Sequence, residues 1–214
     1  MPARLRPTAP IAASAILVGD PGRALMLAQE LLTQPKMSNH ARGLWGYGGE
    51  TKAGHELTIQ STGMGGPSAT VVIGDLAELG VRRAIRIGTC SSSGELRPGE
   101  LVLIREARAA AGGAALPDPS LTAALAERVG GSAREGAVAS LDTLHRPGVD
   151  EPPAAAEVAD MQTAALFEAG TTLGVEVAAV LVVAHAAGVP DLGDEELNEA
   201  VKAAGGAASA VLST

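Results

Sequence analysis

Short runs rich in valine, isoleucine and leucine alternate with helix-like stretches along most of this chain, and that alternation constrains the fold more than any other feature. The runs are "AILV" (15–18), "ELTIQS" (56–61), "RAIRIG" (83–88), "ELVLI" (100–104), "GAVAS" (136–140) and "VEVAAVLVV" (175–183). Between them the spacing predicts helices over 23–32, 68–79, 120–129, 163–173 and 194–211. Strands that read as near-continuous apolar runs are covered on both faces, and parallel neighbours need a long crossover, usually a helix. The pattern therefore predicts an α/β fold, a three-layer α/β/α sandwich with a mixed, largely parallel central sheet. Ligands of such sheets collect at the carboxyl ends of the strands. The last helix opens on Asp194, Glu195 and Glu196, where acidic groups suit the helix dipole, and Leu197, Val201, Ala204 and Val211 recur at helical spacing. It reads as a packing element. The proline-rich "LHRPGVDEPPAAAEVAD" (144–160) reads as a loop over one face of the sheet.

No low-complexity linker divides the 214 residues, so a single domain over 1–214 is expected. Hydrophobic residues make up 46% of the chain but aromatics only 1%, which leaves alanine, valine, leucine and isoleucine to fill the core. A net charge of −8 argues against nonspecific nucleic-acid binding, which needs a basic face. Any anion must be held by a few local donors. No apolar run approaches the length of a membrane span, and "MPARLRPTAPIAASA" (1–15) is too proline-rich and weakly apolar for a signal peptide, so a cytoplasmic location is expected. The lone Cys90 fits a reducing compartment and reads as a small packing residue.

Four segments carry candidate chemistry. "ILVGDPGRA" (16–24) passes from an apolar strand into a glycine turn with Arg23 at its exit. Free backbone N–H groups at such a turn, with a guanidinium beside them, suit a small anion such as phosphate, although Gly-Asp-Pro is also ordinary turn chemistry. "STGMGGPSA" (61–69) opens a helix through Gly63, Gly65 and Gly66, which permit close backbone approach to an anion or a sugar. It is neither a dinucleotide fingerprint nor a lysine-bearing phosphate loop. "RIGTCSSSGEL" (86–96) places Arg86 inside an apolar strand, where it must either pair with a carboxylate or bind an anion, and Thr89 adds a hydroxyl at the strand's end. "VADMQTAALFEAG" (158–170) sets Asp160, Met161 and Gln162 before a helix, where an apolar side chain between two polar ones suits a sugar ring.

Taken in order with Arg42 in "NHARGLWGYGG", "ELGVRRAIRIGTC", "SLDT" and "DMQTAALF", these segments resemble the nucleoside phosphorylase family of the bacterial uridine phosphorylase and hexameric purine nucleoside phosphorylase type, from about Ile16 to about Val183. The resemblance implies a phosphorylase-like α/β domain assembled as hexamers built from dimers, with the site near a dimer interface. It implies that Gly19, Arg23, Arg86 and Thr89 contact inorganic phosphate, that Arg42 reaches across from a neighbouring subunit, and that Met64, Thr89, Leu144, Met161 and Gln162 line the nucleoside. The implied reaction is phosphorolysis to a free base and ribose 1-phosphate. Phosphate is a co-substrate, and neither metal nor organic cofactor is expected. An anion beneath the sugar acts as nucleophile and stabilises the developing oxocarbenium charge.

Several positions depart from the family pattern. Gln162 stands where a glutamate binds the ribose hydroxyls, with Asp160 two residues away as the nearest carboxylate. Leu144 replaces an aromatic that stacks on the base, Val149 and Glu151 lie near the uracil-reading positions, and Ser91 follows "GTC" in place of a glycine. "VAHAAG" replaces the Ser-Asp-His whose aspartate protonates a purine, which makes His185 the candidate proton donor. The candidate catalytic set is thus Arg86, Asp160, Gln162 and His185. Two other readings stay open on the sequence: a hydrolytic nucleosidase, which would not need the arginines, and a noncatalytic nucleoside- or phosphate-binding homologue.

Overall fold

The computed structural model describes residues 4–151, 153 and 155–214, which leaves the first three residues of the 1–15 segment and two positions of the proline-rich loop outside the described residues. Its ten strands are β1 (Ser14–Val18), β2 (Leu32–Asn39), β3 (Gly46–Thr51), β4 (Glu56–Ser61), β5 (Arg83–Ser92), β6 (Leu101–Ala109), β7 (Ala114–Ala115), β8 (Ala133–Ser140), β9 (Val158–Asp160) and β10 (Glu176–Ala186). The helices are α1 (Pro21–Leu31), α2 (Gly66–Glu78), α3 (Pro119–Val129), α4 (Thr163–Leu173) and α5 (Asp194–Leu212).

Successive strand residues point to opposite faces, and the core divides accordingly. Ala15 and Leu17 of β1, with Ala179, Leu181 and Val183 of β10, pack on α2 and α4 through Val72, Ile73, Leu166 and Phe167. Ile16 and Val18, with Ala178, Val180 and Val182, pack on α1, α3 and α5 through Leu27, Leu125 and Val201. The expected three layers follow from this alternation. Among the described residues no helix is long and apolar enough to cross a membrane.

The sheet is mixed, with parallel pairing of β1 to β4 and β5, of β5 to β10, and of β8 to β6 and β9. Antiparallel pairing joins β2, β3 and β4 at one end of the sheet, links β6 to β7 and β10, and links β5 to β9. Strands β5, β10, β6, β8 and β9 thereby close into a ring, which removes their free edges. The edge strand β2 and its neighbour β3 were not among the predicted runs. Their sequences, LTQPKMSN and GYGGET, are polar or glycine-rich, and two irregularities in their register erase any period-two pattern.

The ring creates the crevice that matters. One side of β5 pairs with β1 as far as Ile87, opposite Val18, and then with β9 from Ser91, opposite Ala159. Residues 88–90 lie between, paired only to β10 on the other side. A strand that changes neighbours in this way opens a cleft at the carboxyl ends of its partners, where α/β folds place ligands.

Candidate active site

A cavity of about 420 Å³ fills that cleft, a volume suited to a small-molecule ligand. Gly19 to Pro21, Arg23, Gly63 to Gly65, Arg86, Gly88 to Ser91, Leu144, His145, Ala159 to Gln162 and His185 line it. Three helices begin at its wall. Asp20 caps α1 by accepting from the Arg23 backbone N–H at 2.8 Å, Gly65 caps α2 with φ of 83°, and Gln162 precedes α4. Helix N-termini carry partial positive charge; at α1 and α4 Asp20, Asp160 and Ser140 accept from the Arg23, Thr163 and Ala164 N–H groups, whereas the start of α2 has no side-chain cap and favours an anion. At Gly19 a Cβ would lie 3.4 Å from the Gly63 carbonyl oxygen, so the first two turns pack backbone to backbone.

Arg86 is buried, with 4% of its surface exposed, and its guanidinium is held from three directions. Nε donates to Thr163 Oγ1 at 3.0 Å, Nη1 to Gln162 Oε1 at 2.7 Å and Nη2 to Asp160 Oδ2 at 2.9 Å. A guanidinium has five N–H donors, so two remain for a ligand. Both alternatives posed by the sequence hold at once: Arg86 is salt-bridged, and it lines the cavity. Asp160 is committed elsewhere, since Oδ1 accepts from Ser140 Oγ at 2.6 Å while Oδ2 also accepts from Thr163 Oγ1 at 2.6 Å and from the Thr163 N–H at 3.1 Å. Gln162 is similarly occupied. Its Nε2 donates to the Gly63 carbonyl at 2.6 Å, and its Oε1 lies 3.0 Å from Thr62 Oγ1 besides meeting Arg86. A carboxylate at 162 would face that carbonyl without a proton to offer, so the amide suits this local geometry.

The Arg23 side chain has no ion-pair partner among the described residues. At the mouth of the cavity Met64 and Leu144 are 81% and 68% exposed, which leaves apolar surface for a ligand to cover. His185 is exposed, and its Nδ1 lies 2.8 Å from Asp191 Oδ1. The buried His145 also lines the cavity, 2.8 Å from Ser91 Oγ through Nδ1. Burial and, secondarily, the Asp160 charge push the Cys90 thiol far up, so this cysteine is no thiolate nucleophile. Among the described residues no group of three or more His, Cys, Asp or Glu side chains is arranged to hold a metal ion.

The structure thus gathers Gly19, Arg23, Met64, Arg86, Thr89, Leu144, Asp160, Met161, Gln162 and His185 around one cavity. Arg42 is apart from them. It sits with φ of 61° in the short 3-10 turn between β2 and β3, exposed and outside this cavity's lining. His145 and Asp191 were not among the expected site residues, because each is brought in by loop packing that leaves no periodic signal.

The family model described as the phosphorylase superfamily matches residues 14–214. A DeoD-type purine nucleoside phosphorylase from Alkaliphilus metalliredigens is 30% identical over 81% of this chain and 82% of its own length. Those from Oceanobacillus iheyensis and Caldanaerobacter subterraneus are 41% and 43% identical over 38% of this chain, and the matched stretch spans 35% of each relative's length. The crystal structure of purine nucleoside phosphorylase from Toxoplasma gondii in complex with immucillin-H superimposes with a TM-score of 0.84 at 20% identity, covering 95% of this chain and 91% of that one.

Proposed function

The chain belongs to the phosphorylase superfamily, and on that premise we propose that it cleaves the N-glycosidic bond of a nucleoside with inorganic phosphate, giving a free base and a ribose or deoxyribose 1-phosphate. The observation that carries this reading is the meeting of Arg23, Arg86 and the starts of α1 and α2 at one cavity. Phosphate takes the two free Arg86 donors, the Arg23 guanidinium, the turn at Gly19 and the Thr89 hydroxyl. A phosphate oxygen attacks the anomeric carbon as the carbon–nitrogen bond breaks, and the base leaves with the electron pair.

Asp160 and Gln162 act in this scheme as positioning residues for Arg86, since their oxygens already receive its donors. Met64 and Met161 cover the sugar, and Leu144 offers an apolar surface to the base. His185 supplies the base's proton from Nε2 while Asp191 holds Nδ1. We place the reaction in a cytoplasmic homo-oligomer, a dimer-based hexamer in which Arg42 of a neighbouring subunit completes the phosphate site. A hydrolytic nucleosidase would leave the Arg23 guanidinium and the two free Arg86 donors without an anion to bind.

A panel of purine and pyrimidine nucleosides incubated with purified protein, with and without phosphate, tests the reading. Cleavage that requires phosphate, and that falls by at least about a thousandfold in Arg86→Ala, is expected. Phosphate-independent cleavage, or full turnover in the variant, refutes it.

A further inference from the structure

His145 is a buried, titratable side chain that the proposed reaction does not use, and its hydrogen bonds fix more than its own position. Nε2 lies 3.3 Å from the Glu151 carbonyl oxygen and 3.5 Å from Ser93 Oγ, while Nδ1 lies 2.8 Å from Ser91 Oγ. A carbonyl oxygen only accepts, so Nε2 carries the proton, and in the neutral ring Nδ1 presents its lone pair. Ser91 must then donate its single hydroxyl proton to Nδ1. What Ser91 retains toward the cavity it lines is lone pairs alone.

The position of this serine indicates which part of a ligand meets it. A Cβ at Gly88 would lie 2.6 Å from Arg86 Nη2, so the guanidinium is folded against residue 88. Ser91 follows three residues further along β5, about 10 Å away at the rise of a strand. Ser91 is paired in register with His185 of β10, and His145, to which it is bonded, follows Leu144, so the serine stands beside the two residues that the scheme above assigns to the base.

We propose that Ser91, its proton held by His145, is an obligate hydrogen-bond acceptor that selects bases whose six-membered ring presents an exocyclic amino or ring N–H donor at this wall. The proposal rests on the nucleoside reading above and gives it a substrate class. His145 is a positioning residue here, because it acts through Ser91. A base lacking the donor leaves the serine's lone pairs buried and unpaired, and buried polar groups without partners are costly.

Calorimetric binding of free bases in matched pairs, adenine against purine and hypoxanthine against 1-methylhypoxanthine, tests this without requiring turnover. In the wild-type protein the donor-bearing member of at least one pair binds about tenfold more tightly or better. Ser91→Ala and Ser91→Gly reduce that ratio to less than about threefold, and so does His145→Ala, which frees the serine proton. His145→Asn restores it, since its amide oxygen can take the proton in place of Nδ1. Equal binding within both pairs, or a preference that survives in both Ser91 variants, overturns the proposal. A Ser91-dependent preference without phosphorolysis would overturn the reaction and spare this assignment, whereas phosphorolysis without such a preference would do the reverse.

Discussion

At the scale of single residues, the cavity separates side chains that face the ligand from side chains that hold others in place. Cys90 shows how burial decides chemistry. It follows Thr89 at the cavity wall, yet the residue is only 4% exposed and its thiol's proton affinity is raised by desolvation and then by the Asp160 charge, against a smaller opposing effect of Arg86. The folded protein therefore keeps a proton that the unfolded chain releases near the ordinary value of 9. Because the native state binds more protons above that pH, this contribution to stability is intact below about pH 9 and is lost as pH rises, by about 1.4 kcal/mol per pH unit. Burial also raises Tyr47, whose ordinary value is 10.0, so its loss begins higher. Denaturant titrations from pH 8 to 10 should show the earlier decline in the wild type and not in Cys90→Ala. The native thiol should also resist alkylation at pH 8 while the unfolded chain reacts. Rapid alkylation of the native protein would contradict the burial argument. The presence of most cavity residues was legible from motifs, but Asp160 and Gln162 as partners of Arg86 were not, because residues 74 and 76 positions apart meet only through the closing of β9 onto β5.

At the scale of elements, β5 joins the core to the site. Its first half is a buried strand between β1 and β10, and its second half is a wall of the cavity. Gly88 is the pivot. A Cβ there would meet Arg86 Nη2 at 2.6 Å, Arg86 Cζ at 2.8 Å and Leu181 Cδ2 at 2.7 Å. An arginine end is usually flexible, but this one is tied by three hydrogen bonds and cannot give way without breaking the anion site. Gly88→Ala should therefore destabilise the fold by about 1–3 kcal/mol and raise the KM for phosphate at least about tenfold. Chemical denaturation and phosphate titrations measure the two effects. An unchanged KM would mean that the guanidinium does not bind phosphate in this position. The same strand shows what sequence patterning conveys. The apolar runs marked six strands and the helical spacing marked all five helices, including α4 at Thr163–Leu173, because each buries a long continuous face. The edge strand β2 and its neighbour β3 have mostly polar or glycine positions and interrupted register, and β9 has only three residues, so none carries a period long enough to read.

At the scale of the whole molecule, the question is whether one chain forms a complete site. Arg23 and Arg86 reach the cavity from within the chain, but Arg42 projects from the exposed turn between β2 and β3, outside it. Leu44 from the same turn nevertheless abuts the α2 entry, its Cδ2 lying 3.3 Å from where a Gly63 Cβ would be. The turn therefore flanks the cavity mouth, beside the exposed Met64, and a second copy seated there would bring its own Arg42 toward this cavity. Such a contact in a twofold dimer is reciprocal, each turn serving the other subunit's phosphate. Arg42→Ala and Arg86→Ala should each abolish phosphorolysis as homogeneous proteins. When the two are co-refolded in equal amounts, a mixed dimer has one site with both arginines, formed by the Arg86 of one subunit and the Arg42 of the other. Random pairing makes half of the dimers mixed, each with one complete site of two, so about a quarter of wild-type activity should return. If Arg42 instead served its own chain, every site in the mixture would lack one guanidinium and no activity would return. Single mutants would look the same under either arrangement, so only the mixture tells whether this phosphate site is assembled from two chains or from one.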